Sequence, residues 1–216
     1  MSGGYKLLLF DFDGTLVDTV HDIAFYANSV LGEHGIKPRP VEQVKGAIGL
    51  GVHELLKSLA PTIGENSQIL DKAVELFKLR YRENPVRKTE PFPSVVEMLS
   101  GPLSSVKKAI ITNKPHDITL QILDQLNLSG YFELVIGMNS GYLAKPDPGA
   151  MVFAIQKLSA DPQTSIYIGD SRVDAETSAN AGVDFAWVRY GYDVLDGEKR
   201  AYEFDGAEQW EVLVTR

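Results

Sequence analysis

The chain has 216 residues, 21 basic against 29 acidic, for a formal net charge of −8. That balance excludes general nucleic-acid binding, which needs a basic footprint, and a hydrophobic content of 44% excludes a disordered chain. There is no cysteine, which excludes disulfides and thiolate metal sites. The length allows one large domain or two modest ones. No apolar run approaches the roughly 18 residues of a membrane span, and the opening Met-Ser-Gly-Gly-Tyr-Lys is unlike a signal peptide. The expectation is a cytoplasmic protein, monomeric or homodimeric, with no membrane partner.

Residues 6–10 form a short continuous apolar run, as expected of a strand buried on both faces. Asp18 or Thr19 can cap a helix reaching about residue 33, with Ile23, Ala24, Ala27, Val30 and Leu31 on one face and Gly35 beyond its end. A short helix is expected over 41–46. The glycine-bearing turn Ile48-Gly-Leu-Gly-Val52 opens another over 52–59. Residues 61–67 read as a break, and 68–83 as a helix with Leu70, Ala73, Val74, Leu76 and Phe77 at helical spacing. Pro85, Pro91 and Pro93 mark a linker over 85–93.

From there strands and helices alternate. Ser94 is expected to cap a helix over 94–99, followed by a strand over 106–112 and a helix over 114–126. Strands at 132–136, 165–168 and 185–188 are separated by helices at 145–158 and 173–181, the last ending at Gly182. A weak helix near 207–213 is the only element expected in the tail from 191 onward. Alternation of this kind implies an α/β fold with a Rossmann-like parallel sheet and helices on both faces. The helix-only stretch 18–87 reads as an insertion after the first strand. It divides a core of residues 1–17 and 88–216.

In such sheets ligands gather beyond the carboxyl ends of the strands. The first strand ends in Asp11-Phe-Asp13-Gly14-Thr15. Side chains two apart on an extended segment point the same way, so both carboxylates can face one site. Two such charges together are costly without a cation between them, and a carboxylate is also a nucleophile. The second strand ends in Thr112-Asn113-Lys114-Pro115: Thr112 and the helix-start amides can bind an anionic oxygen, or Thr112 or Asn113 merely caps the helix. Lys145, in Lys-Pro-Asp-Pro, is either a surface lysine or a cation for a phosphate or for the nucleophilic acid. The fourth strand ends in Gly169-Asp170-Ser171-Arg172-Val173-Asp174. Asp170 supplies a third strand-end acid, and Asp174 can cap its helix with Ser171 while orienting a metal-bound water. Together these are the parts needed for phosphoryl transfer through an aspartyl intermediate.

Asp-Phe-Asp-Gly-Thr-Leu-Val-Asp-Thr at 11–19, Thr-Asn-Lys at 112–114, Lys-Pro at 145–146 and Gly-Asp-Ser-Arg-Val-Asp at 169–174 resemble, in this order, the four motifs of the haloacid dehalogenase-like hydrolase superfamily. The resemblance spans essentially the whole chain. It implies a helical cap at 18–87, Asp11 as nucleophile, and Asp13 as acid and then base. It also implies Mg²⁺ held by Asp11, the Asp13 backbone carbonyl and Asp170 with Asp174 in support. Thr112, Asn113 and Lys145 would bind the phosphoryl group, and the Gly14 turn would belong to a mobile hairpin.

Within the superfamily the stretches Ile-Gly-Leu-Gly-Val-His-Glu-Leu-Leu at 48–56 and Ile-Gly-Asp-Ser-Arg-Val-Asp-Ala-Glu at 168–176 are most similar to phosphoglycolate phosphatases. Pro-Phe-Pro-Ser at 91–94 departs from the Pro-Gly of those relatives. The expected substrate is a small phosphomonoester, 2-phosphoglycolate first. Gly49 and Gly51 would let the backbone approach it, with Lys45, His53 and Lys57 as nearby cations, or these are only turn glycines and charges on a solvated face. Pyrophosphate or nucleoside-monophosphate hydrolysis requires the same core and stands as the alternative. A sugar-phosphate mutase or a non-catalytic binding module stands behind it. The second acid, Asp13, speaks against a dehalogenase. His21, His34 and His116 read as surface residues, and Trp187 and Trp210 as packing.

Overall fold

The computed structural model describes residues 4–215. Residues 1–3, part of the N-terminal stretch discussed above, and residue 216 lie outside the described residues. Strand β1 (Leu7–Phe10) is wholly buried. Its pleat sends Leu8 and Phe10 into one apolar cluster and Leu7 and Leu9 into another on the opposite face. That two-sided burial is why the run is continuously apolar.

The chain then forms a two-residue strand β2 (Val17–Asp18) and five helices: α1 (Val20–Glu33), α2 (Val41–Lys45), α3 (Val52–Leu59), α4 (Pro61–Gly64) and α5 (Ser67–Glu83). It returns through β3 (Glu90–Pro91), α6 (Val95–Ser100), β4 (Lys107–Pro115), α7 (His116–Gln125), β5 (Leu134–Met138) and α8 (Gly149–Lys157). Next come β6 (Ser165–Gly169), α9 (Arg172–Ala181), β7 (Asp184–Val188) and β8 (Tyr202–Phe204), then a 3₁₀ turn over Ala207–Leu213.

Six strands form one parallel sheet in the order β5-β4-β1-β6-β7-β8. Helices α6 and α7 cover one face, with Trp210 fully buried against Phe10 at 5.3 Å between ring centroids. Helices α8 and α9 cover the other. The chain leaves β1 to one side for β4 and to the other for β6, so β1 marks the topological switch point. In register, Phe10 lies opposite Ile110 and Ile168. Continuing each strand therefore brings Asp11, Thr112 and Asp170 to one edge of the sheet.

The α/β class and the parallel sheet agree with the sequence reading; several local expectations do not. Residues 61–64 form α4 rather than a break, because Pro61 suits the first helical turn. The 85–93 linker contains β3, which pairs antiparallel with β2: Val17 faces Pro91 and Asp18 faces Glu90. Strand β4 extends to Pro115, so Thr112 and Asn113 lie in a strand and do not cap α7. Thr19 precedes α1 without a side-chain cap bond, since its hydroxyl is directed elsewhere. Ser94 does not cap α6 by its side chain; it sits at φ 65°, a left-handed conformation better suited to glycine. Strand β8 has no counterpart in the sequence reading, and 207–213 is 3₁₀.

One buried acid ties the helical block to its return segment. Asp22 on α1 accepts N–H bonds from Arg87 (2.9 Å), Lys88 (3.0 Å) and Thr89 (3.0 Å), and the Thr89 hydroxyl at 2.7 Å. Beside it, the apolar cluster runs from Phe10 through Phe12, Leu16 and Val17 into α1, α3 and α5.

Candidate active site

The turn after β1 closes tightly: the Gly14 N–H reaches the Val17 carbonyl at 3.0 Å, and the Leu16 N–H the Phe12 carbonyl at 3.0 Å. Gly14 has φ 82°, and a Cβ there would stand 2.4 Å from Asp170 Oδ2. Only glycine permits both the turn and the approach of Asp170.

Asp11 is buried at the tip of β1. Lys145 Nζ lies 2.9 Å from Asp11 Oδ1, but not at hydrogen-bonding angles, so this oxygen has no hydrogen bond among the described residues. Burial pushes the Asp11 carboxyl up to about 7; Lys145 opposes the shift and Asp174 adds to it. Lys145, also buried, reaches Asp174 Oδ1 at 2.6 Å and the Tyr167 hydroxyl at 2.9 Å. Burial works against its charge, but Asp11 and Asp174 together hold it above the ordinary lysine value.

Asp170 follows β6. Its Oδ2 accepts the Tyr192 N–H at 2.7 Å, and its Oδ1 the Thr15 hydroxyl at 3.4 Å. Burial, with Asp174 and Asp11 nearby, pushes its carboxyl well up. Asp174 forms the expected capping box with Ser171 and opens α9. Asp11, Asp170 and Asp174 each offer a carboxylate oxygen within 4.8 Å of the others. Three buried acids against one lysine leave the site with a net negative charge. An all-oxygen donor set of this kind fits a hard divalent cation such as Mg²⁺. The Asp13 carboxylate stands outside that set.

Asp13 instead accepts the Thr19 hydroxyl at 2.6 Å and Lys114 Nζ at 3.0 Å, both on Oδ1. Lys114 is buried and reaches across to the Tyr81 hydroxyl of α5 at 3.1 Å. Thr112 Oγ1 accepts the Lys114 N–H at 3.2 Å, which leaves the hydroxyl proton for another acceptor. Asn113 spends its whole side chain on the protein. Its Nδ2 donates to the carbonyls of Gly49 (2.9 Å) and Lys145 (3.1 Å), and its Oδ1 accepts the Lys145 N–H at 2.8 Å. It is a strut between strand, lysine loop and helical block, with no side-chain donor left for a phosphate.

A cleft of about 480 Å³, partly open to solvent, lies between these residues and the helices. Asp11, Asp13, Thr112 and Lys114 line one side; Ile48, Leu55, Phe77 and Tyr81 are among those lining the other. Gly49 and Gly51, at φ 127° and 88°, are in its wall. The other cap residues suggested by the sequence are not. His53 and Lys57 contact Glu54 on the exposed face of α3, whereas Lys45, 5.6 Å from the Tyr192 ring, lines an adjoining cavity together with Asp11, Asp13, Asp170 and Gly49. His21 and His34 are exposed as expected, while His116 is half-buried.

Sequence reasoning missed Lys114, Tyr81 and Tyr192. The Tyr192 hydroxyl accepts the N–H groups of Thr19 (2.7 Å) and Val20 (3.1 Å) and lies 2.8 Å from Asp18 Oδ1, while its backbone N–H holds Asp170. It joins the acid cluster to the start of α1. Lys114 carried a signal in the Thr-Asn-Lys triplet; Tyr81 and Tyr192 carried none.

Fold and site define an α/β enzyme with a carboxylate cluster at the switch point of a parallel sheet. Residues 8–188 match the family model described as haloacid dehalogenase-like hydrolase. The phosphoglycolate phosphatase of Aquifex aeolicus is 34% identical over 194 residues, covering 89% of each chain. Phosphoglycolate phosphatase 1 of Pseudomonas aeruginosa is 35% identical over 193 residues, covering 87% of this chain and 71% of the relative. A crystal structure described as a predicted phosphoglycolate phosphatase from Haemophilus somnus superposes with a TM-score of 0.89 at 25% identity, covering 96% of this chain and 97% of that one. The chain belongs to the haloacid dehalogenase-like hydrolases. No helix among the described residues is long and apolar enough to cross a membrane.

Proposed function

We propose that the protein is a Mg²⁺-dependent phosphatase of small phosphomonoesters, with 2-phosphoglycolate as its substrate. The observation that carries the mechanism is the unequal treatment of the two strand-end acids: Asp11 has an oxygen without a hydrogen bond beside Lys145, whereas Asp13 is held by Thr19 and Lys114. Asp11 is the nucleophile. Its free oxygen bonds to phosphorus as the bond to the leaving oxygen breaks, and Asp13 delivers a proton to the departing alkoxide. Asp13 then takes a proton from the water that attacks phosphorus, and the Asp11–phosphorus bond breaks. Lys145 and the Thr112 hydroxyl face the phosphoryl oxygens.

Asp11, Asp170 and the Asp13 backbone carbonyl would hold Mg²⁺, with Asp174 in support through Lys145 and Ser171. The ion supplies charge neutralisation for the transferring phosphoryl group. Residues 18–87 act as a cap over the core of 1–17 and 88–216, with β2 and β3 as paired hinges. Cap closure excludes water during the first step. The names of the curated relatives support the choice of 2-phosphoglycolate.

The test is a panel of phosphate esters, pyrophosphate and nucleoside monophosphates ranked by kcat/KM with Mg²⁺ and with EDTA. Activity is expected only with the metal, with 2-phosphoglycolate first. A nucleotide or pyrophosphate at the head of the ranking would overturn the substrate assignment.

A further inference from the structure

The wall of the cleft is apolar on the side of the helices, and Lys114 is the only cation among the residues lining it. The basic residues suggested by the sequence for a substrate anion do not line it: His53 and Lys57 face Glu54, and Lys45 lines an adjoining cavity on the side of Asp170 and Tyr192, which shares Asp11 and Asp13 with the cleft. Lys114 is held in place from both sides. Its ammonium lies 4.5 Å from the Tyr81 ring centroid and 3.1 Å from the Tyr81 hydroxyl, and Tyr81 itself stacks on Tyr26 at 4.8 Å. A lysine ammonium has three N–H donors. Asp13 Oδ1 at 3.0 Å and the Tyr81 hydroxyl at 3.1 Å take two, and the third has only Asp13 Oδ2 at 3.4 Å, a long contact that a better-placed acceptor can replace.

We propose that Lys114 is the specificity-determining residue of the cleft, and that its third N–H exchanges the long contact to Asp13 Oδ2 for a carboxylate on the leaving group. This rests on reading the site as a phosphomonoesterase with Asp13 as the donor to the leaving oxygen. The placement sets the length of the substrate. A cation in contact with Asp13 stands next to the leaving oxygen, so it can reach an acid group one carbon away but not the far end of a longer chain. The substrate class is the phosphate ester of a short α-hydroxy acid. Neutral alcohols of the same size gain nothing from this lysine, and the apolar wall leaves a larger polar leaving group without partners. The selecting cation comes from the core strand β4, and the residue that steadies it, Tyr81, comes from α5. Discrimination is therefore complete only when the helical block sits on the core.

The test measures kcat/KM in Mg²⁺ for two esters, on the wild type and on Lys114→Met. One ester is 2-phosphoglycolate; the other is 2-hydroxyethyl phosphate, which has the same length and no carboxylate. The wild type is expected to favour the carboxylate substrate. Lys114→Met should cut that preference by roughly 10- to 100-fold, the loss of one charged hydrogen bond, mostly through KM. An equal fall on both substrates, carried by kcat, would assign Lys114 to holding Asp13 and overturn the proposal. An unchanged ratio would do the same. Tyr81→Phe, which keeps the ring and frees the lysine, provides the same comparison if Lys114→Met does not fold, and should show a smaller loss of preference in the same direction; an unchanged ratio there counts against the proposal. A wild type that hydrolyses both esters equally overturns this inference alone. A wild type that hydrolyses no phosphomonoester overturns the reading on which it rests.

Discussion

Replacing Asp11 by asparagine should stabilise the metal-free protein at pH 8, and by only about a third as much at pH 5. Burial raises the Asp11 carboxyl to about 7 in the folded protein, against about 3.9 in an unfolded chain. Between those values the folded state binds more protons than the unfolded one, so stability falls as pH rises through the window. At pH 8 the group is ionised in both states and its whole destabilisation is expressed. A shift of about three units corresponds to at most about 4 kcal/mol. Asp170 titrates beside it and Lys145 relaxes when Asp11 is neutral, so we expect a gain on the order of 1–3 kcal/mol. For a chain of this length that is a rise of roughly 2–12 °C in Tm. The assay is urea and thermal unfolding of wild type and Asp11→Asn in EDTA at both pH values. A variant less stable than wild type at pH 8 would refute the reasoning, because Lys145 would then depend on the Asp11 charge more than Asp11 suffers from burial. Adding Mg²⁺ to the wild type should raise its Tm more at pH 8 than at pH 5, since binding requires the ionised acids.

Asp22→Ala removes the acceptor of three backbone N–H groups and one hydroxyl; it should cost about 3–5 kcal/mol in denaturant unfolding. Ser94→Gly relieves a left-handed serine at φ 65° and should gain up to about 1 kcal/mol, read as a small rise in Tm. Lys145→Met leaves Asp11 and Asp174 without their shared cation. It should lower kcat by at least about 100-fold in steady-state assays, the scale of losing one charge-stabilising donor. Tyr192→Phe removes the hydroxyl that holds the start of α1 while keeping the backbone bond to Asp170; kcat should fall by about tenfold, the scale of one hydrogen bond, with Mg²⁺ affinity unchanged by titration.

The parts of the fold that were legible are those where burial leaves a mark on consecutive residues. Strand β1 is apolar at every position because both faces are covered, and the acids that follow it stand out for that reason. Ser171 and Asp174 read correctly because a capping box is local. What was not legible depends on residues far apart in the chain. Asp22 looks like one acid among several on a helix, and its role appears only when residues 87–89 fold back onto it. Lys114 meets Asp13 and Tyr81 across separations of 101 and 33 positions. Tyr192 lies in a stretch with no hydrophobic period. Asn113 misled because an amide near a strand end suits a phosphate as well as it suits three backbone partners; only the geometry shows that its side chain is fully used. His53 and Lys57 are on the right helix but the wrong face, a distinction that spacing around a short helix did not settle.

The central claim is that Asp11 carries the phosphoryl group between two half-reactions. It is tested most directly by acid-quenching the enzyme during turnover of 2-phosphoglycolate with Mg²⁺, digesting it, and locating the added phosphoryl group by mass spectrometry. The expected result is a phosphorylated peptide bearing the modification on Asp11, absent in EDTA and absent from an inactive Asp11→Asn variant. Undiminished turnover by Asp11→Asn, or a phosphoryl group on another residue, would contradict it.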